Sequence, residues 1–339
     1  MKNFVISAIL MLVCSTSFAQ GPNDSGTYYQ AADGKKGAEL KTALCGIITE
    51  NHKSLSYDDL WGYFEITDLR TDGKIWDVYS DITNYDVVYK GQSSYPNEGS
   101  GYNKEHSFPN SWFGGVKNSI MYSDLFHLYP TDAYINNMRS NYAFGETQGS
   151  KKSQTGFSKL GSCTYPGYTG TVFEPNDIYK GDFARTYFYM VTRYENEIPE
   201  WYNNYKSKEG VSQTLDGNKY PGLSTWQLNM LMEWSKNDPV DNPVVKETPR
   251  NKAVYGIQKN RNPFIDYPGL ERFIWGDLKD MAFSYDHYTT TGIEDLIEDV
   301  KNDEPEAIYS PDGRRLQRLQ RGLNIVRTKS RRTIKVLVK

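Results

Sequence analysis

The sequence predicts an α+β protein. Several blocks carry apolar residues at three-to-four spacing, a stretch from 70 to 130 is rich in Gly, Asn, Pro, Ser and Tyr, and the chain closes on short alternating runs. These point to a mixed helical domain with short strands and irregular loops, followed by a small C-terminal β-meander. With 339 residues, 38% of them hydrophobic, the chain is long enough to bury a substantial core.

Residues 1–19 read as a secretory signal peptide. Lys2 supplies the positive start, "FVISAILMLV" the apolar stretch, and Ser17-Phe18-Ala19 a small-x-small cleavage site. Met11 and Val13 are poor flanks for lipid attachment at Cys14. No other stretch approaches the roughly 18 apolar residues that a membrane span needs.

The main domain is expected over residues 21–293. "GAELKTALCGIITENH" places Leu40, Ala43, Leu44, Ile47 and Ile48 near one helical face, and "SLSYDDLWGYF" follows, with Ser56 expected as the helix cap. "KGDFARTYFYMVTRYENE", "STWQLNMLMEWSKND" and "TPRNKAVYGIQKN" repeat the helical spacing, with Ser224 and Thr248 expected as caps. Cys45 and Cys163 remain once the signal is removed. A single disulfide and two buried thiols are both open. There is no C-x-x-C or other zinc spacing, which excludes zinc fingers.

An acidic linker is expected over residues 294–306, "EDLIEDVKNDEPE", before a segment of different texture at 307–339. There "AIYSPDGRRLQRL", "GLNIVRT" and "RTIKVLVK" read as strands, and "SPDG" and "TKS" as turns. Alone, about 33 residues bury too little surface to form an independent enzyme, so this segment reads as a tag or docked appendage. The net formal charge is −3. Because the first nineteen residues carry +1 and residues 307–339 carry ten Lys/Arg against Asp312, residues 20–306 carry about −13. That balance argues against broad affinity for nucleic acid, so any phosphate chemistry must be local.

Two stretches carry chemistry. "NKEHSFPNSWFG" sets Glu105 directly before His106 in a chain with four histidines. "SDLFHLYPTDAYINNMRSNYAFGE" reads as a strand that hands over at Pro130 and Thr131 to a helix capped by Thr131 or Asp132, with Asn136, Arg139 and Ser140 on one face. The layout is strand, loop, strand, helix, a ββα unit able to clamp one metal ion. Glu and Asn offer oxygen donors, which suit a hard divalent cation: Mg2+, with Mn2+ or Ca2+ as alternatives. An unperturbed histidine titrates near ~6.5, so His106 can accept a proton from water. Neighbours in a regular strand point to opposite faces, so Glu105 and His106 are expected at a strand end with irregular backbone.

These two stretches together resemble the bacterial endonuclease I family of secreted, non-specific nucleases with a His-Me (ββα-metal) finger. "VFEPNDIYKGDFARTYFYMVTRY", "LMEWSKNDPVD" and "GIQKNRNPFIDYP" extend the likeness from about residue 37 to 275. Carried over, the resemblance implies His106 as general base and Glu105 and Asn136 as metal ligands. It also implies DNA as substrate, RNA as a second one, and products with 5′-phosphates. Arg139 is expected to hold a neighbouring phosphate as a second catalytic residue. His127, Asn137 and Asn141 are expected to support the site from behind. Family members carry His where this chain has Phe126, which leaves open the role of His127. The C-terminal segment is similar to type IX sorting domains, which implies export machinery as a partner and an extracellular or cell-surface location, with the periplasm as the other end point.

Alone, Glu105-His106 would read as a surface pair; the Asn136 helix at the expected distance gives it function. His52 and His287 lack such company and read as surface or satisfied core residues. Tyrosines in helix faces read as core rather than base-stacking platforms. The alternative from another class is a catalytically inactive surface binding module on the same fold, motivated by Phe126 and the acidic body.

Overall fold

The computed structural model describes residues 20–91, 95–242, 245–288, 305–310, 314–320, 322–328 and 333–338. The expected signal, most of the acidic linker and much of the "SPDG" turn lie outside the described residues. The observed class is mixed α+β. Helices α1 (Gly37–Thr49) and α2 (Leu60–Thr67) come first. The ribbon β1 (Tyr102–His106) and β2 (Leu128–Asp132) follows, and α3 (Ala133–Arg139) continues directly from it. A second sheet has the order β3-β6-β5-β4, built from Ala143–Phe144, Thr171–Glu174, Lys159–Ser162 and Lys151–Lys152. The helical half contains α4 (Lys180–Arg193), α5 (Ile198–Tyr205), α6 (Val211–Thr214), α7 (Thr225–Asn237), α8 (Glu247–Gln258), α9 (Pro263–Asp266) and α10 (Leu270–Ile274). Strands β7 (Pro305–Tyr309), β8 (Arg315–Leu316), β9 (Gly322–Thr328) and β10 (Thr333–Val338) form a sheet of order β10-β9-β7-β8.

Helix α4 is the spine of the domain, packed by α7, α1 and α9, and every residue from Gly181 to Arg193 is buried. Such a helix cannot have a solvent face, so its polar side chains need internal partners. Tyr189 donates to Asp124 Oδ2 (2.8 Å), Arg185 Nε donates to Glu247 Oε1 (2.8 Å), and Tyr187 donates to the Ser107 carbonyl (3.0 Å). The last bond ties the spine to the residue after His106. Asp124 is fully buried and also accepts from Tyr194, Gln258 and the Phe126 amide, so the turn leading into β2 is held by one satisfied carboxylate.

Two cap expectations are corrected, and a third holds in position without its side-chain bond. The second helix begins at Leu60, because the first helical carbonyl is that of Asp59, three residues beyond Ser56. Helix α8 begins at Glu247, and the Thr248 amide donates to Asp241 Oδ1 (2.9 Å), so Asp241 rather than Thr248 satisfies the first turn. Ser224 takes the cap position, yet its hydroxyl donates to the Gln213 carbonyl (2.6 Å) rather than accepting from α7. Cys45 and Cys163 are both free and buried.

Candidate active site

Strand β1 pairs antiparallel with β2 without interruption, Glu105 opposite Tyr129 and His106 opposite Leu128. His106 ends the strand, as expected, but the pairing up to it is regular; irregular backbone begins only at Ser107. Alternation therefore sends the Glu105 and His106 side chains to opposite faces of the ribbon. Asn103, two residues before Glu105, shares its face.

Asp132 closes β2 and caps α3. Its Oδ1 accepts from the Ile135 amide (2.8 Å), and its Oδ2 accepts from the Tyr85 hydroxyl (2.5 Å) and the Gly99 amide (2.8 Å). Two turns of helix are thereby fixed at their foot. On that helix Asn136 is half-buried, and its amide donates to Asn103 Oδ1 (2.6 Å), which leaves the carboxamide oxygen for another partner.

Glu105 is 3% exposed. Its Oε1 accepts from the Tyr79 hydroxyl (2.9 Å) and pairs with Arg139 Nη1 (3.1 Å). Burial pushes the carboxyl above its usual range, opposed by Arg139, Tyr79, Asn136 and the His106 amide. Tyr79 is positioned by buried Asp77, whose Oδ1 accepts from the Tyr79 amide (2.9 Å) and whose Oδ2 accepts from the Asp132 amide (2.9 Å). One carboxylate thus joins the turn that holds Glu105 to the foot of the helix that carries Asn136.

His106 is 5% exposed. Its Nε2 lies 2.8 Å from the Tyr122 carbonyl, which can only accept; that nitrogen carries the proton and Nδ1 holds the lone pair. Tyr57 lies parallel to the ring at 5.8 Å, Tyr122 meets it at 4.6 Å and His127 at 5.4 Å. Burial, with His127 beside it, pulls the imidazole down to about 3, so the ring is neutral at physiological pH.

The expected phosphate contact of Arg139 is corrected. The side chain is 1% exposed, and besides Glu105 its nitrogens donate to the carbonyls of His106 (3.1 Å), Ser107 (2.6 Å) and Ser140 (3.3 Å). A guanidinium held this way positions the Glu105-His106 strand end and has no face to offer a substrate. His127 is fully buried, against the His106 ring and 2.6 Å from the Met121 carbonyl. Asn137 is exposed on α3, and Asn141 donates to Ser111 Oγ (3.3 Å), joining the end of α3 to the loop after His106. Phe126 is buried against Tyr189 (4.7 Å) in the core.

Sequence reasoning missed Tyr79, Asn103, Asn110 and the Tyr122 carbonyl. Asn103 had a legible signal, the two-residue strand period from Glu105; the Tyr122 contact is a backbone atom and leaves no mark in residue type. Among the described residues no group of three or more His, Cys, Asp or Glu is placed to hold a metal ion. The carboxylate of Glu105 and the carboxamide oxygen of Asn136 are instead a sparse, hard donor pair, the kind that suits a cation retaining several of its own waters.

The family model for endonuclease I matches residues 36–269. The chain belongs to the endonuclease I family. Within that family's reach, it is 34% identical over 262 residues to a protein named extracellular ribonuclease of Bacillus subtilis (strain 168), covering 74% of this chain and 79% of that one. An extracellular ribonuclease of Bacillus amyloliquefaciens is also 34% identical, over 258 residues, with the same coverage of each chain. An extracellular deoxyribonuclease of Aeromonas hydrophila is 25% identical over 162 residues, 45% of this chain and 56% of its own. The endonuclease I match encloses the ribbon, α3 and all of α4, so the site lies wholly inside it.

Proposed function

We propose that this chain is a secreted endonuclease that hydrolyses phosphodiester bonds of DNA and RNA with little sequence preference, through a His-Me finger formed by β1, β2 and α3. The observation that carries the reading is the pairing of a neutral imidazole, fixed by Tyr122 with its lone pair on Nδ1, with an oxygen donor set on the adjacent residue and on α3. Membership of the endonuclease I family and the printed names of its extracellular relatives support both the reaction and export, as does the signal-like start. No helix among the described residues is long and apolar enough to cross a membrane. The type IX-like tail remains a proposed route to the cell surface or medium.

His106 takes a proton from water at Nδ1 while Nε2 stays bonded to Tyr122. Glu105 and Asn136 would hold a divalent cation, Mg2+ by the hardness of their oxygens, and when bound it supplies Lewis-acid stabilisation of negative charge on the phosphate and leaving oxygen. In-line displacement places the attacking and leaving oxygens on opposite sides of phosphorus. Loss of the O3′ group leaves a 5′-phosphate. With about −13 on residues 20–306, substrate is held by local phosphate contacts rather than by the general field, which favours little sequence discrimination.

The test is nicking of supercoiled plasmid and cleavage of a structureless RNA, with Mg2+ or with EDTA. The parent protein is expected to cut both only with the metal, and Glu105→Gln to lose the activity. Equal cutting in EDTA, or no cutting by the folded parent, would remove the reading.

A further inference from the structure

Because Nε2 is committed to the Tyr122 carbonyl, whatever faces Nδ1 faces the point of proton transfer. That neighbour is Asn110, whose Nδ2 lies 3.3 Å from Nδ1; with the lone pair on Nδ1, the amide is the donor. At that length the bond is weak, and a water can take its place. Asn110 is half-buried and opens the short helical turn Asn110–Phe113 directly after Pro109. Behind it the chain turns through Gly114 (φ 89°) and Gly115 (φ 64°), and a Cβ added at Gly115 would meet Asn110 Oδ1 at 3.8 Å. The side-chain amide faces the imidazole at Nδ1.

We propose that Asn110 is the residue that positions the attacking water on His106. This rests on the nuclease reading above and deepens it. With substrate bound, the amide N–H donates to the water oxygen in place of Nδ1, and the water donates one hydrogen to Nδ1. That leaves a lone pair for phosphorus. In the reaction the water proton passes to Nδ1, the oxygen bonds to phosphorus, the P–O3′ bond breaks, and O3′ departs with the electron pair and takes a proton from solvent. Asn110 itself gains and loses nothing, so its effect falls on the orientation of the nucleophile.

The experiment compares Asn110→Ala and the isosteric Asn110→Asp with the parent protein on plasmid and on a short DNA duplex, with Mg2+ present, recording kcat, KM and thermal melting. Because orientation rather than binding is lost, kcat is expected to fall about 100-fold in both variants, with KM and melting temperature close to the parent's. A variant that melts like the parent and turns over within about threefold of its kcat, by the same measure of misplacement, would overturn the proposal. So would a kcat loss matched by an equal loss of fold in both variants, which would make Asn110 a structural residue. If the parent cleaves and the variants cleave equally, only the role of Asn110 fails; if the folded parent does not cleave, the nuclease reading fails.

Discussion

Replacing His106 by alanine is expected to lower phosphodiester cleavage by about 10²- to 10⁴-fold, the range that a positioned general base contributes. The imidazole is buried among Tyr57, Tyr122 and His127, with Nε2 bonded to a carbonyl 2.8 Å away, and its remaining nitrogen is therefore available only as an acceptor. Alanine removes that acceptor and leaves a small cavity, so the variant should melt somewhat lower yet keep its circular dichroism and the proposed metal site. Single-turnover rates on plasmid separate this from a binding defect. A variant that keeps more than about a tenth of the parent rate would assign the proton to another group, because it falls well below what general-base catalysis supplies.

The second large effect concerns stability. Arg139→Met is expected to destabilise the fold by about 3–5 kcal/mol, the usual loss when one partner of a buried ion pair is removed. Glu105 would be left at 3% exposure with only Tyr79 and nearby amides to stabilise a carboxylate, and the carbonyls of His106 and Ser107 would lose their donor. In a domain of this size that corresponds to a melting temperature lower by on the order of 10 °C. Urea unfolding of parent and variant measures it. A change below about 1 kcal/mol, the scale of an exposed pair, would mean that the guanidinium is not the clamp its contacts describe. Cleavage should fall as well, because the same side chain holds the carboxylate proposed to bind metal and the backbone of the proposed base.

That dual role explains what the sequence could and could not convey. The helical blocks around α1, α4, α7 and α8 were legible because apolar spacing is a property of the chain alone, and the strand-to-helix handover before Asn136 was legible from Pro130, Thr131 and the capping Asp132. Cap positions were less so: Ser56 and Thr248 have the right residue type, but the choice of first helical carbonyl and the reach of Asp241 are decided in three dimensions. Arg139 was read as a phosphate ligand because arginine beside polar residues on a helix has that chemistry. Its burial follows from the ribbon end closing over it, which no local pattern encodes. Phe126 points the same way. By sequence it departs from the family just before the second strand of the site, whereas in the fold it is buried in the core and packs on Tyr189. The packing of Phe126 thus gives the binding-module alternative no support, and the acidic body remains its motive.

The central claim is that Glu105 and Asn136 together form a divalent-cation site next to a neutral His106. It is tested most directly by titrating Mn2+ into the His106→Ala protein, which should not consume substrate, and following the bound ion by electron paramagnetic resonance. One site is expected, competed by Mg2+ and lost when Glu105→Gln or Asn136→Ala is added. Undiminished Mn2+ binding in either of those double variants would contradict the account.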